Sequence, residues 1–245
     1  MEFSAASDVG LVRRHNEDSF ALVPLAHGAL LAVADGVGGS RAGEVASEIA
    51  TSTFVELLAG SGRGDDMGAA ELCQALEAAN EGILARSRSQ DLEGMGTTMT
   101  AAFVSDNLLV YAHAGDSRLY VCRDGKLVRV THDHSVAEEL VRRGSLQPEE
   151  ARTHPQRHVL TRYLGLRPFT CDEGSWELAR GDIVLLCTDG LTDAITEAQI
   201  EREIEAGFDG LALRLVEAAN TAGGPDNTTV VAARIGSQET GGTAA

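Results

Sequence analysis

Hydrophobic and polar positions alternate in two different rhythms along this chain. Ala29 to Ala34 is a short, continuous apolar run, and it reads as a buried strand. It ends abruptly in Asp35-Gly36, followed by the glycine-rich stretch Val37-Gly38-Gly39. From Arg41 to Leu58 the rhythm changes: Val45, Ile49, Phe54, Leu57 and Leu58, with Ala46 and Ala50, fall at helical spacing. A polar, glycine-rich stretch from Gly60 to Gly68 leads into a second helix over about Ala69 to Arg88, with Leu72, Leu76, Ile83 and Leu84 inside. Strand-like stretches at Phe3 to Ser7 and Ser19 to Val23 come before these helices, and the second pairs naturally with Ala29 to Ala34.

Four strands then follow closely: Thr97 to Val104, Leu108 to Ala114, Ser117 to Cys122 and Leu127 to Thr131. Ser105-Asp106-Asn107 and Arg123-Asp124-Gly125-Lys126 read as hairpin turns, and short turns force antiparallel pairing. Residues 132 to 170 interrupt this pattern with a polar stretch rich in His and Arg. It carries a short helix at Val136 to Arg143 and a helical turn at Pro148 to Arg152, and reads as a flap-like insertion. Strands return around Trp176 and at Ile183 to Cys187. Helices follow at Thr196 to Ala206, opened by a capping threonine, and at Leu211 to Ala219. Asp226 to Ile235 closes the series. The domain organisation expected is one domain over residues 1–235, with residues 236–245 a disordered tail. Two long helices beside antiparallel hairpins point to stacked layers, not to a doubly wound parallel sheet.

One feature recurs at the strand ends. Asp35 and Asp189 each end an apolar run, Asp116 follows Leu108 to Ala114, Asp226 precedes the last strand, and Glu17-Asp18 precedes Ser19 to Val23. A lone ionised carboxylate beside a core is costly to desolvate. Five such ends, if they converge, form an oxygen-rich pocket suited to hard divalent cations. Gly36-Val37-Gly38-Gly39 could be mistaken for a dinucleotide-binding turn, but the next glycine is Gly43, out of register, and Asp35 would repel a phosphate.

Composition narrows the partners. The net charge is -17 and Lys126 is the only lysine, so no basic patch is available for nucleic acid or anionic lipid. Cys73, Cys122, Cys171 and Cys187 show no CxxC spacing, which predicts reduced thiols, no zinc site and a cytoplasmic protein. No apolar run approaches the ~20 residues that span a bilayer, and the N-terminus lacks the pattern of a signal peptide.

In order, Arg13-Arg14-His15-Asn16-Glu17-Asp18, Ala34-Asp35-Gly36-Val37-Gly38-Gly39, Gly96-Thr97-Thr98, Gly115-Asp116-Ser117-Arg118, Thr188-Asp189-Gly190 and Asp226-Asn227-Thr228-Thr229 resemble the motifs of the type-2C, metal-dependent (PPM) protein serine/threonine phosphatases. The resemblance spans residues 5 to 235 and is similar to compact bacterial members. It implies an α+β fold: a four-layer α-β-β-α sandwich of two antiparallel sheets flanked by helix pairs. It also implies hydrolysis of phosphoserine and phosphothreonine by a metal-bridging hydroxide, using Mn²⁺ or Mg²⁺. Carried over by motif, Asp35, the Gly36 carbonyl, Asp189 and Asp226 hold two metals, with Asp18 acting through water. Asp116 with Asp189 would hold a third ion, and Arg13 would bind the substrate phosphate. The partners implied are phosphorylated proteins, a Ser/Thr kinase among them, and a monomer is expected. The alternatives are a pseudophosphatase acting as a binding module and an enzyme for small phosphate esters.

Val37 departs from the family, many of whose eukaryotic members carry at that position a histidine thought to protonate the leaving group. Either a metal-bound water supplies that proton or another histidine reaches the site from elsewhere in the chain; the water is the expected donor, because no histidine adjoins a metal motif in the family's position. No single His→Ala change is then expected to abolish phosphopeptide hydrolysis selectively. His113, replacing a family Asn, is expected to be a hydrogen-bonded strand residue. Cys187 is expected in the core, and Ser117 in no Ser-His-Asp arrangement.

Overall fold

The computed structural model describes residues 1–38, 41–60, 67–88 and 92–236; the expected tail lies outside these residues but for Gly236. Among the described residues, eleven strands fall in two sheets. The first holds β1 (Glu2–Asp8), β7 (Arg118–Arg123), β8 (Lys126–Arg129), β10 (Ile183–Cys187) and β11 (Thr228–Arg234), in the order β1-β11-β10-β7-β8. The second holds β2 (Asp18–Leu25), β3 (Gly28–Val37), β5 (Met99–Val104), β6 (Leu108–Ala114) and β9 (Asp172–Glu177) in the order β2-β3-β5-β6-β9, with β4 (Gly96–Thr97) on the end of β3. Every pairing is antiparallel.

The apolar runs follow from three stacked cores. Along β3, Leu30, Ala32 and Ala34 face α1 (Arg41–Ala59) and α2 (Ala69–Arg86), where Phe54, Leu72, Leu76 and Ile83 are fully buried. Ala29, Leu31 and Val33, on the other face, meet Leu119, Val184, Leu186 and Val231 of the opposite sheet. Strand side chains alternate faces, so a strand covered on both sides must be apolar throughout. On β10, Leu185 and Cys187 face α5 (Asp189–Ala194), α6 (Glu197–Glu205) and α7 (Leu211–Thr221), through Leu191, Ile200 and Leu215. The result is the expected α-β-β-α order. Leu57, expected on the buried face of α1, is instead 48% exposed; Ala50, Phe54 and Leu58 carry that face.

Two turns of similar length behave differently. Asp124 and Gly125 adopt φ of 52° and 76°, the left-handed pair of a two-residue hairpin, and β7 pairs with β8. Gly115-Asp116-Ser117 joins β6 to β7 without pairing them: the chain crosses from one sheet to the other there. Gly115 makes this possible. Its φ is +121°, and a Cβ would lie 2.4 Å from the Cβ of Thr98.

Between β8 and β9 lie α3 (Val136–Arg142), capped by Ser135 Oγ accepting from Glu138 N, and α4 (Pro148–Ala151). The expectation of four reduced thiols is corrected. Cys73 on α2 and Cys171 ahead of β9 form a disulfide, with Cα atoms 6.4 Å apart across 98 residues of chain. Sequence spacing hid the pair because only the packing of α2 beside the start of β9 brings it together. Cys122 and Cys187 are free and buried, and burial pushes the Cys187 thiol up to about 12, an inert core thiol as expected. Among the described residues no helix is long and apolar enough to cross a membrane.

Candidate metal centre

The acidic strand ends meet at one end of the sandwich. Asp18 and Asp35 are direct partners in the β2–β3 register, so antiparallel pairing alone sets two carboxylates side by side. Asp35, Gly36, Asp116, Asp189 and Asp226 line one cleft of about 710 Å³, together with Arg13, Val37, Arg157, His158 and Asp193. A cavity of about 640 Å³ at the hairpin end of β2 and β3 has one lining carboxylate, Asp106, and gathers no such cluster.

The motif residues between these acids serve as their framework. Asp35 N–H donates to Thr98 Oγ1 at 2.9 Å, and its carbonyl accepts from Thr98 N–H and Thr97 Oγ1, each at 2.8 Å. Thr98 Oγ1 also lies 2.8 Å from Ser117 Oγ, tying the Asp35 strand end to the Asp116 turn. Asp18 Oδ2 accepts from Thr188 Oγ1 at 2.9 Å and Thr229 Oγ1 at 2.7 Å, the threonines adjoining Asp189 and following Asp226-Asn227. With the Thr229 proton committed to the carboxylate, Ser7 Oγ donates to Thr229 and accepts from Asn16 Nδ2. Gly36 and Gly43 approach so closely that a Cβ on Gly36 would lie 2.3 Å from the Gly43 carbonyl, so α1 can start only over a bare backbone.

The cluster is electrostatically incomplete as protein alone. Burial, then the charges of Asp18, Asp189 and Asp116, push the Asp35 carboxyl well above its ordinary range. Burial raises Asp18 to about 7, against the two threonine hydrogen bonds and aided by Asp189 and Asp226. Burial and Asp189 likewise raise Asp116. Asp18 Oδ1 and Asp189 Oδ1 are buried with no hydrogen-bond partner. Repelling carboxylates with free oxygens are what a hard divalent cation satisfies, so the donor set fits Mn²⁺ or Mg²⁺.

Arg13 reaches the cleft from the loop between β1 and β2, where its Nη2 donates to Asp226 Oδ2 at 2.7 Å. His113 is fully buried in β6. Its Nε2 lies 2.9 Å from the His132 carbonyl, which can only accept, and its Nδ1 lies 2.9 Å from Thr100 Oγ1. Burial lowers His113 to about 3, so the ring is neutral, with Nε2 protonated; the Thr100 hydroxyl beside Nδ1 donates to the Ser117 carbonyl at 3.0 Å. This matches the expected strand residue. Ser117 is likewise buried in hydrogen bonds.

Of the two proton sources left open, a metal-bound water and a histidine reaching in from elsewhere in the chain, the second has a candidate. The chain beyond α4 brings His158 over the cleft, with Nδ1 3.7 Å from Asp189 Oδ2 and Nε2 3.4 Å from Asp193 Oδ2. Ligand atoms of His158, Asp116 and Asp189 all lie within 4.8 Å of one another, a grouping able to hold an ion. The contact with Asp189 raises the His158 pKa, outweighing burial. Nothing in the local sequence around His158 signals this. Asp193 was legible in principle, as the residue one helical turn beyond Asp189 once α5 is recognised.

Residues 12–221 match the family model described as Protein phosphatase 2C. The chain is 41% identical over 237 residues to the serine/threonine protein phosphatase PstP of Mycobacterium tuberculosis, covering 96% of this chain but 45% of that protein. It thus spans less than half the length of that relative. It is 36% identical over 249 residues to the protein phosphatase PhpP of Streptococcus pneumoniae, covering 94% of this chain and 96% of PhpP. The crystal structure of the catalytic domain of PstP in complex with 2 manganese ions superposes with a TM-score of 0.83 at 38% identity, covering 94% of this chain and 96% of that one.

Proposed function

This chain belongs to the protein phosphatase 2C family, and from that premise we propose that it is a metal-dependent phosphatase hydrolysing phosphoserine and phosphothreonine in proteins. The observation that carries the reading is the convergence of Asp18, Asp35, Asp116, Asp189 and Asp226 from separate strand ends, with two buried carboxylate oxygens left unpartnered. Residues 1–235 act as one catalytic domain, with residues 132–170 a flap beside the cleft.

Asp35, the Gly36 carbonyl, Asp189 and Asp226 would hold two Mn²⁺ or Mg²⁺ ions, Asp18 would act through water, and Asp116 with Asp189 would take a third. When bound, such ions acidify water and offset the charge on the phosphoryl oxygens. The protein's own part is positioning. Thr97 and Thr98 fix the backbone of Asp35, and Thr188 and Thr229 orient Asp18. Arg13 offers a planar fork for two phosphate oxygens, and its hold on Asp226 keeps it at the mouth of the cleft. His158, in the cleft lining beside Asp189 and Asp193, would hold or pass a proton there.

The phosphoprotein partner is a Ser/Thr kinase or one of its substrates, and the protein acts as a monomer. A pseudophosphatase would be expected to lack a metal carboxylate, and each one the family motif calls for is present. The test is turnover of a phosphoserine peptide and of small phosphate esters by metal-depleted protein. No turnover in excess chelator, with recovery on adding Mn²⁺ or Mg²⁺ and preference for the peptide, is expected. Undiminished turnover without metal would sink the reading, and preference for metabolites would favour the small-ester alternative.

A further inference from the structure

The turn that carries Asp116 has an unusual anchor. Gly115 sits at φ +121° where the chain crosses between sheets, and both of its main-chain polar groups are held by one distant residue. The main-chain N–H of His134 donates to the Gly115 carbonyl at 2.7 Å. The Gly115 N–H donates to the His134 ring at Nδ1, 3.2 Å away. His134 is 1% exposed, and its ring packs against that of His113 at a centroid distance of 4.6 Å.

Because an amide N–H can only donate, Nδ1 of His134 must be unprotonated. Burial lowers the pKa of His134, in keeping with a neutral ring. The single ring proton is then on Nε2, which lies 3.1 Å from Asp172 Oδ2, close but short of a well-formed hydrogen bond. Asp172 is in turn gripped by Arg162. The His134 carbonyl accepts from Thr161 N–H at 2.8 Å, and Ser135 bridges Leu160. One residue therefore joins both ends of the segment over the cleft to the turn that presents Asp116.

We propose that His134 is a positioning residue for Asp116, holding Gly115 by main chain and ring so that the Asp116 carboxylate meets Asp189 in a geometry that takes a cation. This rests on the reading that Asp116 and Asp189 bind an ion. Groups that orient a ligand through a hydrogen bond typically govern ~10–100-fold in metal affinity. A histidine that merely filled the core would have no such selective effect.

Side-chain geometry separates the two roles. In His134→Asn, Oδ1 stands in for Nδ1 and can accept from Gly115; in His134→Gln, the polar group stands in for Nε2 and Nδ1 has no replacement. Mn²⁺ titration of metal-free protein, followed by electron paramagnetic resonance, is expected to show the Asp116-dependent site weakened ~10–100-fold in H134Q and spared in H134N. Binding by the remaining sites should not change. Amide exchange at Gly115 in metal-free protein should quicken in H134Q and stay slow in H134N. In an Asp116→Asn background, H134Q should cause no further loss of phosphopeptide turnover. Equal metal affinities and equal Gly115 exchange in H134Q and wild type would overturn the proposal, as would the same loss of turnover with and without Asp116. A wild-type protein with no Asp116-dependent Mn²⁺ site would refute the parent reading instead, and Gly115 exchange would still decide whether His134 holds the turn.

Discussion

Asn227 Oδ1 accepts the main-chain N–H of Glu17 at 2.8 Å, 210 residues away in sequence. The same amide donates through Nδ2 to the carbonyls of Val9 at 2.9 Å and His15 at 3.0 Å. Three bonds from one buried side chain thus shape the loop that bears Arg13, and they do so beside Asp226. The loop is also joined by Leu11 N–H to the Gly224 carbonyl at 2.8 Å. Asn227→Ala strips three loop groups of their partners. It is expected to destabilise the protein by about 2–3 kcal/mol. It should also raise KM for a phosphopeptide ~10-fold, with a smaller change in kcat, because the loss falls on phosphate binding. Steady-state kinetics on both constants checks this; a fall in kcat with KM unchanged would contradict it.

His158 changes the account of the leaving-group proton. A seryl alkoxide needs protonation in the transition state, whereas a nitrophenolate does not. The Asp189 and Asp193 carboxylates beside His158 favour its protonated form. His158→Ala is expected to slow phosphoserine-peptide hydrolysis ~100-fold while slowing nitrophenyl phosphate far less. This reverses the expectation, drawn from motif positions alone, that no single histidine would show such selectivity. Equal losses on both substrates would assign His158 to ion binding, not to proton delivery.

Asp116 sits where the chain crosses from one sheet to the other, within reach of Asp189. Asp116→Asn keeps the shape of the side chain and removes its charge, so the neighbouring Arg118–Asp133 pair should stay in place. The expected outcome is a protein that retains two bound metals per chain and loses most of its phosphatase activity. Metal analysis of the purified variant checks it, and a wild-type metal count would contradict the assignment.

Asp133 offers a test of stability against pH. Burial pushes its carboxyl up, but the fork of Arg118, at 3.0 and 2.8 Å, and Arg129 beside it outweigh burial and hold it below the ordinary value of 3.8. A depressed folded-state pKa contributes stability that is present above the unfolded value and lost as pH falls through the folded one. The contribution should therefore be full above pH about 4 and fade at more acid pH. Asp133→Ala leaves the half-buried Arg118 without its partner, so it should cost about 3 kcal/mol near neutrality. The gap between variant and wild type in denaturant titrations should narrow below pH about 4; a constant gap would contradict the linkage.

Much of this fold is legible in the residues themselves. β3 and β10 could be read as buried strands because a short uninterrupted apolar run has few other uses; that each is covered on both faces is a matter of the layers around it. Asp124-Gly125 announced its own hairpin, since the left-handed φ values it needs belong to few residue pairs. Antiparallel pairing of the two strands that end in Asp18 and Asp35 followed from the short turn between them, and the acidic strand ends pointed to a cation site because buried carboxylates need a counter-charge. These are local consequences of backbone geometry and of the cost of desolvation, and neighbouring residues suffice to state them.

Tertiary structure decided the rest. Gly115-Asp116-Ser117 is as short as a hairpin turn, yet it sends β7 to the other sheet, because β7 gains partners on both sides there, in β8 and β10. β1 lies in the opposite sheet from β2 and pairs with β11, its partner from the far end of the chain. His158 over Asp189, Cys73 beside Cys171 and the hold of His134 on Gly115 each join segments whose own sequences say nothing of one another. Closing a long loop costs little more entropy than closing a short one. Which distant segments meet is therefore set by how the layers pack as a whole, and no pattern within a single segment records it.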